Sequence, residues 1–381
     1  MRVEIIDRYS KLCELEADWN ELLTSSGENC VFLTFEWFSS FVRSFELEDR
    51  LAVGIVREGS EVVGILPLYK AHTKVAGVTC KALRSISNVH TPKYDFIFKL
   101  GKEESVQRVL SELREYYKWD LVELDYVNSY SSVLKALCGN SSGGHNFRTV
   151  PVMKSPFLET TGGWEEYYNS LSKKLNKNMD YYERRASREF GVEMEVINGP
   201  LLDRDVLLEA FRIEDSGWKG TQGSSIIKND KVSDFYRDLA LSMNRKGWFD
   251  LLFLKFGEAR VAFDYCLKYD SSYSLLKIGY DEKYGKYSPG MILRKMAIKN
   301  VFQQGFRRYD FLGGNDEYKV KMSNRDAIMS RVFIFGGGVK SNLIKTVLFG
   351  APQIAEKMKV KGFVKKFGLR FGLLGKSKPG M

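Results

Sequence analysis

Several residue patterns that define common protein classes are missing from this 381-residue sequence. Its five cysteines lie far apart without a CxxC pair, which predicts reduced thiols and no disulfide framework. The three histidines have no metal-ligand spacing with one another or with a cysteine, so we expect no metal site. There is no G-x-S-x-G or G-x-x-x-x-G-K-[ST] motif, which argues against a serine hydrolase and a P-loop nucleotidase.

Long apolar runs are missing as well. No stretch approaches the roughly 20 apolar residues of a membrane-spanning helix, and the residues after Met1 lack the pattern of a secretory leader. We therefore expect a cytoplasmic protein. Because 44% of the residues are apolar and 13% aromatic, the chain can bury one large core or two medium ones, which favours two packed halves over disorder.

Net positive charge is low except near the C-terminus. The net charge is +10, but residues 341–381 contain nine Lys or Arg and a single acid, so the rest of the chain is nearly neutral. A nearly neutral body makes nucleic-acid binding an unlikely property of the catalytic part. In the tail the bases alternate with Leu and Phe, a pattern that suits an anionic membrane surface; the alternative is a disordered tail.

Residues 272–319 combine a strand, a turn, a helix, a second strand and a polar loop. Aromatic and branched residues over 273–280 predict the first strand, and a Gly- and Tyr-rich turn follows. Ser288 is a natural N-cap, and Pro289 suits the first position of a helix predicted to extend to residue 304. With Gly290 in its first turn, this helix start offers backbone N–H groups and a positive dipole end to a phosphate.

The same stretch contains Gly-Tyr-Asp (279–281), Ser-Pro-Gly-Met-Ile-Leu (288–293), Asp-Phe-Leu-Gly-Gly (310–314) and Glu-Tyr-Lys (317–319). This combination resembles the cellulose-biosynthesis-type acyltransferases of the GNAT superfamily, which are related to the FemAB-type aminoacyl transferases. The resemblance implies an acyl-CoA donor, acetyl-CoA or longer, and transfer of its acyl group to an amine between two splayed strands. The residues that it implies at the donor pyrophosphate are Tyr284, Gly285, Lys286, Tyr287, Ser288, Gly290 and Met291.

Amine acylation needs a neutral amine, a polarised thioester carbonyl and a protonated or tolerated leaving thiolate. On the resemblance, a backbone N–H at the splay polarises the carbonyl, and Tyr318 supplies a proton to the CoA sulfur. Candidate bases are Asp264, an acid within an apolar strand, and Asp281 at a strand end. The alternative for Asp264 is a structural ion pair with Lys268 or Arg260.

Asp310 and Lys319 are further site candidates, because the family pattern retains both residues. They are predicted either to act at the site or to pair with each other and shape the loop between them. No metal is predicted to take part.

The chain contains one α/β unit twice. Residues 57–70 align with residues 255–268 without a gap, and each segment reads as a hairpin of two apolar strands. In both places a strand, a helix and another strand are predicted to follow. We therefore predict an α/β (α+β) fold of tandem GNAT-like units, each a mixed, mostly antiparallel sheet flanked by helices. Residues 1–155 form a degenerate N-terminal half, 156–340 the acyl-CoA-binding half, and 341–381 a basic amphipathic tail.

Three polar segments have alternative interpretations. Residues 90–95, in the first half, either face the acceptor cleft or form a solvent loop. A helix predicted over 164–190 carries six Lys or Arg off its apolar face, which either steer an anionic substrate or CoA phosphates or form a solvated surface. The Gly- and Ser-rich segment 217–230 is predicted to be a mobile or surface loop.

These features predict an acyl-CoA-dependent N-acyltransferase, in the first instance an N-acetyltransferase. Its acceptor is expected to be an amine of a cell-envelope, exopolysaccharide or lipid precursor, met at the inner face of the cell membrane, with surface contact through 341–381. One alternative is a FemAB-like aminoacyl-tRNA-dependent transferase, which the nearly neutral body disfavours. The other is a non-catalytic scaffold of a polysaccharide-synthesis system, recruited through the tail.

Overall fold

The computed structural model describes residues 1–75, 77–139 and 146–350. Its strands are β1 (Arg2–Ile6), β2 (Val53–Glu58), β3 (Glu61–Leu66), β4 (Leu68–Val75), β5 (Val78–Ser85), β6 (Ile97–Phe98), β7 (Leu121–Asn128), β8 (Asn146–Glu159), β9 (Val192–Ile197), β10 (Phe249–Phe256), β11 (Ala259–Tyr269), β12 (Ser272–Tyr280), β13 (Arg308–Asp310) and β14 (Arg325–Phe335). Its α-helices are α1 (Tyr9–Cys13), α2 (Glu16–Thr24), α3 (Phe35–Ser44), α4 (Val106–Tyr117), α5 (Ser132–Gly139), α6 (Trp164–Ser170), α7 (Lys173–Phe190), α8 (Arg204–Asp215), α9 (Trp218–Thr221), α10 (Asp230–Arg245), α11 (Pro289–Gln303), α12 (Glu317–Met322) and α13 (Val339–Lys345).

The strands form one large and one small sheet. The large sheet has ten strands in the order β4-β5-β7-β14-β8-β13-β12-β11-β10-β9, and the small sheet has the order β1-β2-β3-β6. Neighbouring strands are antiparallel except for β5 with β7 and β12 with β13. The predicted fold class, a mixed and mostly antiparallel α/β fold with flanking helices, is confirmed.

The two halves repeat one order of elements. The neighbours β1-β2-β3-β6 in the first half correspond to β9-β10-β11-β12 in the second. Each run continues through a helix, α4 or α11, into a strand, β7 or β13. In the second half β13 pairs in parallel with β12, and in the first half Val127 of β7 forms an isolated parallel bridge with Tyr94, which precedes β6. The first half has an additional hairpin, β4–β5, at the outer edge of the large sheet, where β5 pairs with β7. The first half joins the large sheet through β7, which pairs with β14. The boundary predicted between residues 155 and 156 falls within β8, which pairs with both β13 and β14.

Local capping explains where two helices begin. Thr34 accepts the backbone N–H of Trp37 and starts α3, as its place before an apolar helical stripe predicts. The prediction of a single helix over residues 164–190 is wrong, because the chain forms two helices there, α6 and α7. Ser172 accepts the N–H of Leu175 at 3.3 Å and starts a new helix after Leu171 leaves the helical conformation.

The hydrophobic core has two main parts, one on each face of the second-half sheet. The larger part also fills the first half, and there Trp37 and Phe41 of α3 meet Phe235 of α10 with ring centroids 5.4 and 5.7 Å apart. The second part lies beneath α7 and α11. The segment 217–230, predicted as a loop that does not pack, contains α9 and a short 3₁₀ turn whose Ile226 is buried in the larger core.

The start of the predicted tail packs on the large sheet. Ile344 of α13 is buried, and the Phe349 ring lies 5.3 Å from the ring of Phe333 on β14. Residues 351–381, which hold most of the predicted basic amphipathic segment, lie outside the described residues. Within the described ranges, none of the helices has the length and apolar character needed to span a membrane.

Candidate active site

Strands β12 and β13 separate at the centre of the second half. They pair in parallel only where residues 272–274 meet residues 308–310. Beyond this point β13 leads into a loop, and in the described chain no strand pairs with residues 275–280 on that edge of β12. A register shift opposite Tyr265 and Cys266 places Leu276 at a β-bulge. Because a bulge interrupts the ladder of hydrogen bonds, this edge can offer a backbone group to a ligand.

The start of α11 opens beside this splay. Ser288 occupies the N-cap position, as predicted, but with a left-handed φ of 50° and no capping hydrogen bond from its side chain. Pro289 is the first helical residue. The N–H of Met291 is bonded to the Ser288 carbonyl at 2.9 Å, so the amide of Gly290 is the better placed of the predicted donors. An uncapped start of a 15-residue helix is an anion-binding element.

Two glycines border this helix start without a structural need to be glycine. A Cβ atom built on Gly285 or Gly290 would lie 3.9 Å from the ring of Tyr280, which is an ordinary contact distance. Neither residue has the positive φ that favours glycine. Packing and backbone conformation would therefore both tolerate a side chain here. The missing side chains instead leave room for a ligand to approach the backbone closely.

The turn before α11, residues 282–287, carries the remaining predicted donor contacts. Tyr287 is buried against Phe190, and its hydroxyl has no hydrogen-bond partner in the described structure. Tyr284 is half-buried beside the same ring, with centroids 6.0 Å apart. Lys286 is exposed, and its Nζ lies 4.9 Å from the centroid of the Tyr287 ring. The two tyrosines therefore anchor the turn, and Lys286 leaves a positive charge at its surface.

The basic face of α7 reaches this turn. The Arg185 guanidinium donates to the Lys286 carbonyl at 3.4 Å and lies 4.9 Å from the centroid of the Tyr287 ring. A shallow surface depression beside it is lined by Tyr181, Arg184, Arg185, Arg188 and Glu189. Three arginines therefore line an open surface next to the start of α11, where they attract anions.

Asp264 is fully buried and paired with an arginine that the sequence analysis did not consider. Both of its oxygens accept from Arg294 of α11, one of them at 2.9 Å. Arg294 also donates to the Tyr309 hydroxyl at 2.8 Å. The suggested partners are engaged elsewhere, Lys268 with Asp250 and Arg260 with two glutamates. A carboxylate held by a bidentate guanidinium is poorly available as a base. The geometry therefore favours a structural ion pair over a catalytic base for Asp264, with Arg294 as the partner instead of Lys268 or Arg260.

Tyr318 of α12 has the features expected of a ligand-facing hydroxyl. Its side chain packs against the core beneath α11, and its hydroxyl is buried without a hydrogen-bond partner in the described structure. Burial raises its pKa to about 12, against the opposing effect of Arg294. The hydroxyl therefore stays protonated at neutral pH and can donate a hydrogen bond. A buried hydroxyl without a partner costs free energy, which a ligand atom at this place would recover.

Asp281 is the N-cap of the turn that leads to α11. Its side chain accepts the backbone N–H of Lys283 at 2.9 Å, and the carboxylate is half-buried. This contact gives Asp281 a role in shaping the turn. Its predicted role as a base remains a prediction.

Asp310 and Lys319 do not pair with each other. Lys319 Nζ donates to the carbonyl oxygens of Leu312 and Gly313 at 3.1 and 2.5 Å and lies 2.8 Å from Asp316. Lys319 therefore stabilises the loop after β13. This is the structural role that one of the two alternatives predicts, but the partners are Leu312, Gly313 and Asp316 instead of Asp310.

Asp310 pairs across the two halves. Lys93, from the segment 90–95 of the first half, lies 2.5 Å from its carboxylate, and Arg308 lies 2.9 Å away. Burial alone would raise the pKa of Asp310, but Lys93 and Arg308 hold it below its ordinary value. In the same segment, His90 Nδ1 lies 3.2 Å from the Tyr236 hydroxyl of α10. The segment therefore contacts the second half at the splay, which supports the cleft interpretation over the solvent loop.

Replacing Lys93 by alanine should lower the free energy of unfolding by about 2 kcal/mol, since a buried carboxylate loses a charged partner but keeps Arg308. Lys99→Ala is the matched control, because Lys99 pairs with Glu61 at 2.6 Å at the exposed surface of the first half. That control should cost markedly less stability, because solvent screens an exposed ion pair. Chemical denaturation of both variants measures the difference, and equal losses would contradict a stabilising contact between the halves.

Sequence reasoning missed two residues of this site, Arg294 and Lys277. Arg294 lies on the buried face of α11 and Lys277 lies on β12 directly after the bulge. Lys277 is half-buried, with its Nζ 4.9 Å from the centroid of the Tyr236 ring. The sequence does contain a pattern that could have identified Lys277 as a site residue. It is a charged residue between Leu276 and Ile278 in an apolar strand, just as Asp264 is a charged residue in an apolar strand.

Comparisons with known proteins bear on the fold of the chain. Residues 173–320 match the family model described as an acetyltransferase (GNAT) domain. No curated protein matches the chain. The crystal structure of FemX is similar at 12% identity with a TM-score of 0.60, covering 91% of this chain and 99% of that one. L-PGS from Bacillus licheniformis is similar at 13% identity with a TM-score of 0.54, covering 90% of this chain and 96% of that one. At these identities the likeness shows a shared fold.

Proposed function

Since the chain is a transferase with a GNAT acetyltransferase domain over residues 173–320, we propose that it transfers an acyl group from acyl-CoA to an amine. The simplest donor is acetyl-CoA. One observation carries the proposal: the uncapped start of α11 opens onto the splay between β12 and β13, beside two glycines that packing does not require. A diphosphate at that helix start would place the rest of the donor along the free edge of β12.

The residues present fit such a donor. The amide of Gly290 and the space over Gly285 would receive the diphosphate, and the arginines of α7 would attract the phosphate of its nucleotide end. Tyr318 would donate a hydrogen bond to the sulfur, while a backbone group at the Leu276 bulge would polarise the carbonyl. Asp264 would act as a positioning residue, because it fixes Arg294 close to Tyr318. Asp310 would act in the same way by joining the halves next to the cleft.

The acceptor class follows from the resemblance to the cellulose-biosynthesis-type acyltransferases. We propose an amine of a cell-envelope, exopolysaccharide or lipid precursor at the inner face of the cell membrane. The segment 90–95 of the first half would form one wall of the acceptor site, since it contacts both β13 and α10. Membrane contact through the basic residues of 341–381 is part of the same proposal and rests on their charge.

Binding of CoA tests the proposal directly. Gly290→Glu should raise the Kd for CoA by roughly tenfold or more, because a carboxylate would then occupy the anion-binding helix start. Gly163→Glu is the matched control, since Gly163 is the exposed N-cap of α6 with open space around its Cα. Isothermal titration calorimetry should find unchanged affinity in the control. A wild-type protein that binds neither CoA nor acetyl-CoA would refute the proposal.

An aminoacyl-tRNA donor is the second candidate, and one observation favours it. The arginines of α7 line an open surface depression instead of an enclosed pocket, and such a surface can also follow an RNA backbone. Titration with total tRNA separates the two candidates. Binding of tRNA that Arg184→Ala and Arg188→Ala weaken, without any CoA binding, would establish the second candidate in place of the first.

A further inference from the structure

Lys277 is a cationic side chain of the cleft that has no role in the transfer described so far. It lies on β12 directly after the Leu276 bulge, on the edge that the splay leaves without a strand partner in the described chain. Its neighbours Leu275 and Ile278 belong to the core beneath α11. Lys277 instead contacts Tyr236 of α10, so its side chain lies on the opposite face of the sheet, next to the segment 90–95.

The groups around Lys277 leave it without a counter-ion. The titratable and charged groups that face it are Tyr236 of α10, His90 of the first half, Glu214 of α8, Lys219 of α9 and Lys319 of α12. The only carboxylate among them, Glu214, lies 2.6 Å from Lys219 and is neutralised by it. Among the described residues, the contact found for the Lys277 Nζ is with the face of the Tyr236 ring, and no ion pair or hydrogen bond is found for it.

This environment favours the neutral amine. Burial, and after it the positive charge of Lys219, lower the pKa of Lys277 to about 8. A lysine with such a pKa is partly neutral near physiological pH and can accept a proton there. His90 cannot take this place, because burial, and then Lys277 itself, lower its pKa to about 4. Its imidazole is too weak a base to compete.

We propose that Lys277 is the general base of the reaction and takes the proton that the acceptor amine loses on acylation. This inference rests on the proposed function. In the step, a bond forms between the amine nitrogen and the acyl carbon, and the bond between that carbon and the sulfur breaks. The neutral Lys277 becomes an ammonium, and the sulfur leaves as a thiolate that accepts a hydrogen bond from Tyr318. Lys277 later returns its proton to solvent or to the thiolate.

The positions of Lys277 and Tyr318 suit this division of work. Tyr318 belongs to the core on the α11 face of the sheet, and Lys277 lies on the other face. The splay between β12 and β13 connects the two faces. A donor that enters from the start of α11 would therefore meet Tyr318 with its sulfur, and an amine that arrives beside the segment 90–95 would meet Lys277. Lys277 thus replaces the carboxylates Asp264 and Asp281 as the favoured base.

The first test needs no donor and no acceptor. In protein labelled with ¹³C-lysine, the Lys277 Cε signal is identified as the one lost in Lys277→Arg and is then followed against pH. We expect a midpoint near pH 8, against about 10.4 for exposed lysines. A midpoint of about 10 or above would overturn the inference, whatever the protein proves to bind.

The second test places Lys277 relative to the donor. When wild-type protein is incubated with acetyl-CoA and no acceptor, the neutral Nζ should take the acetyl group itself, at a rate that rises between about pH 7 and 9. Mass spectrometry should find acetylation of Lys277 roughly tenfold faster than that of the exposed Lys283, and Gly290→Glu should remove this difference. Acetyl-CoA that binds without modifying Lys277 would overturn the inference and leave the proposed function intact. Failure of acetyl-CoA to bind would overturn both, and the titration would still report the state of Lys277.

Discussion

Replacing Arg294 by methionine should lower the free energy of unfolding by about 3 to 5 kcal/mol, which is the cost of leaving a buried carboxylate without its partner. Arg294 and Asp264 are both almost completely buried, and no other cation lies within ion-pair distance of Asp264 in the described structure. In the variant, Asp264 would have to take up a proton or admit water. Both outcomes cost a large part of the stability of an ordinary domain.

The double variant Asp264→Leu/Arg294→Met separates this cost from a loss of packing. With both charges removed, most of the lost stability should return, because apolar residues of similar volume often replace a buried ion pair without loss. Arg325→Met is the control for the substitution itself, since Arg325 pairs with Glu159 at the exposed surface. Urea denaturation of the wild type, Asp264→Leu, Arg294→Met and the double variant gives the coupling energy. Additive effects of the two single substitutions would show that Asp264 and Arg294 do not act as a pair.

Tyr318→Phe should affect stability and turnover in opposite directions. The Tyr318 hydroxyl is buried without a partner in the described structure, so its removal should stabilise the free protein by about 1 kcal/mol. Turnover should fall by about 100-fold, because the departing sulfur loses its hydrogen-bond donor. The affinity for CoA should change by less than about twofold, since this contact forms mainly as the bond to sulfur breaks.

A second tyrosine provides the control for Tyr318. Tyr167 is also buried, but its hydroxyl donates to the Met322 carbonyl at 2.8 Å. Tyr167→Phe should therefore lose about 1 kcal/mol of stability and keep its turnover. Thermal unfolding and release of CoA thiol measure both variants. A Tyr318→Phe protein that is less stable and fully active would remove the hydroxyl from the mechanism and give it a structural role.

The parts of the fold that could be predicted are those whose signals are local in the chain. The hairpin of β10 and β11 follows from two apolar strands around Gly257, and the start of α3 follows from Thr34 before a helical stripe. The start of α11 was predicted in the same way, from Ser288 and Pro289. In each case a few consecutive residues determine the conformation, so no knowledge of distant contacts is needed.

The contacts of the site could not be predicted, because they join residues that are far apart in sequence. Lys93 and Asp310 are separated by 217 positions, and nothing in either neighbourhood identifies the other. Asp264 stands out in the sequence as an acid within an apolar strand, but its partner Arg294 lies on the next helix, and not on the same strand as the predicted partners Lys268 and Arg260. Such pairs depend on how a helix settles on a sheet, which periodicity does not determine.

The boundary between α6 and α7 shows a different limit. An apolar face at helical spacing continues through residues 164–190, and this periodicity alone predicted one helix. The Ser172 side chain competes with the helical backbone for the N–H of Leu175 and starts a second helix instead. A capping residue in the middle of a stretch with helical periodicity can therefore divide it into two helices, although the periodicity alone predicts one.

The ladder between β8 and β14 constrains how substrates reach the cleft. The two strands are hydrogen-bonded over most of their length at the middle of the ten-stranded sheet. A hinge motion that swung one half away from the other would have to break a ladder of this continuous sheet, either β8–β14 or β7–β14, together with the Lys93–Asp310 contact. Opening by rigid rotation is therefore too costly to accompany each catalytic cycle. We therefore expect the donor and acceptor of the proposed reaction to bind without a hinge motion of the halves, and we expect any gating to come from short surface segments that rearrange locally.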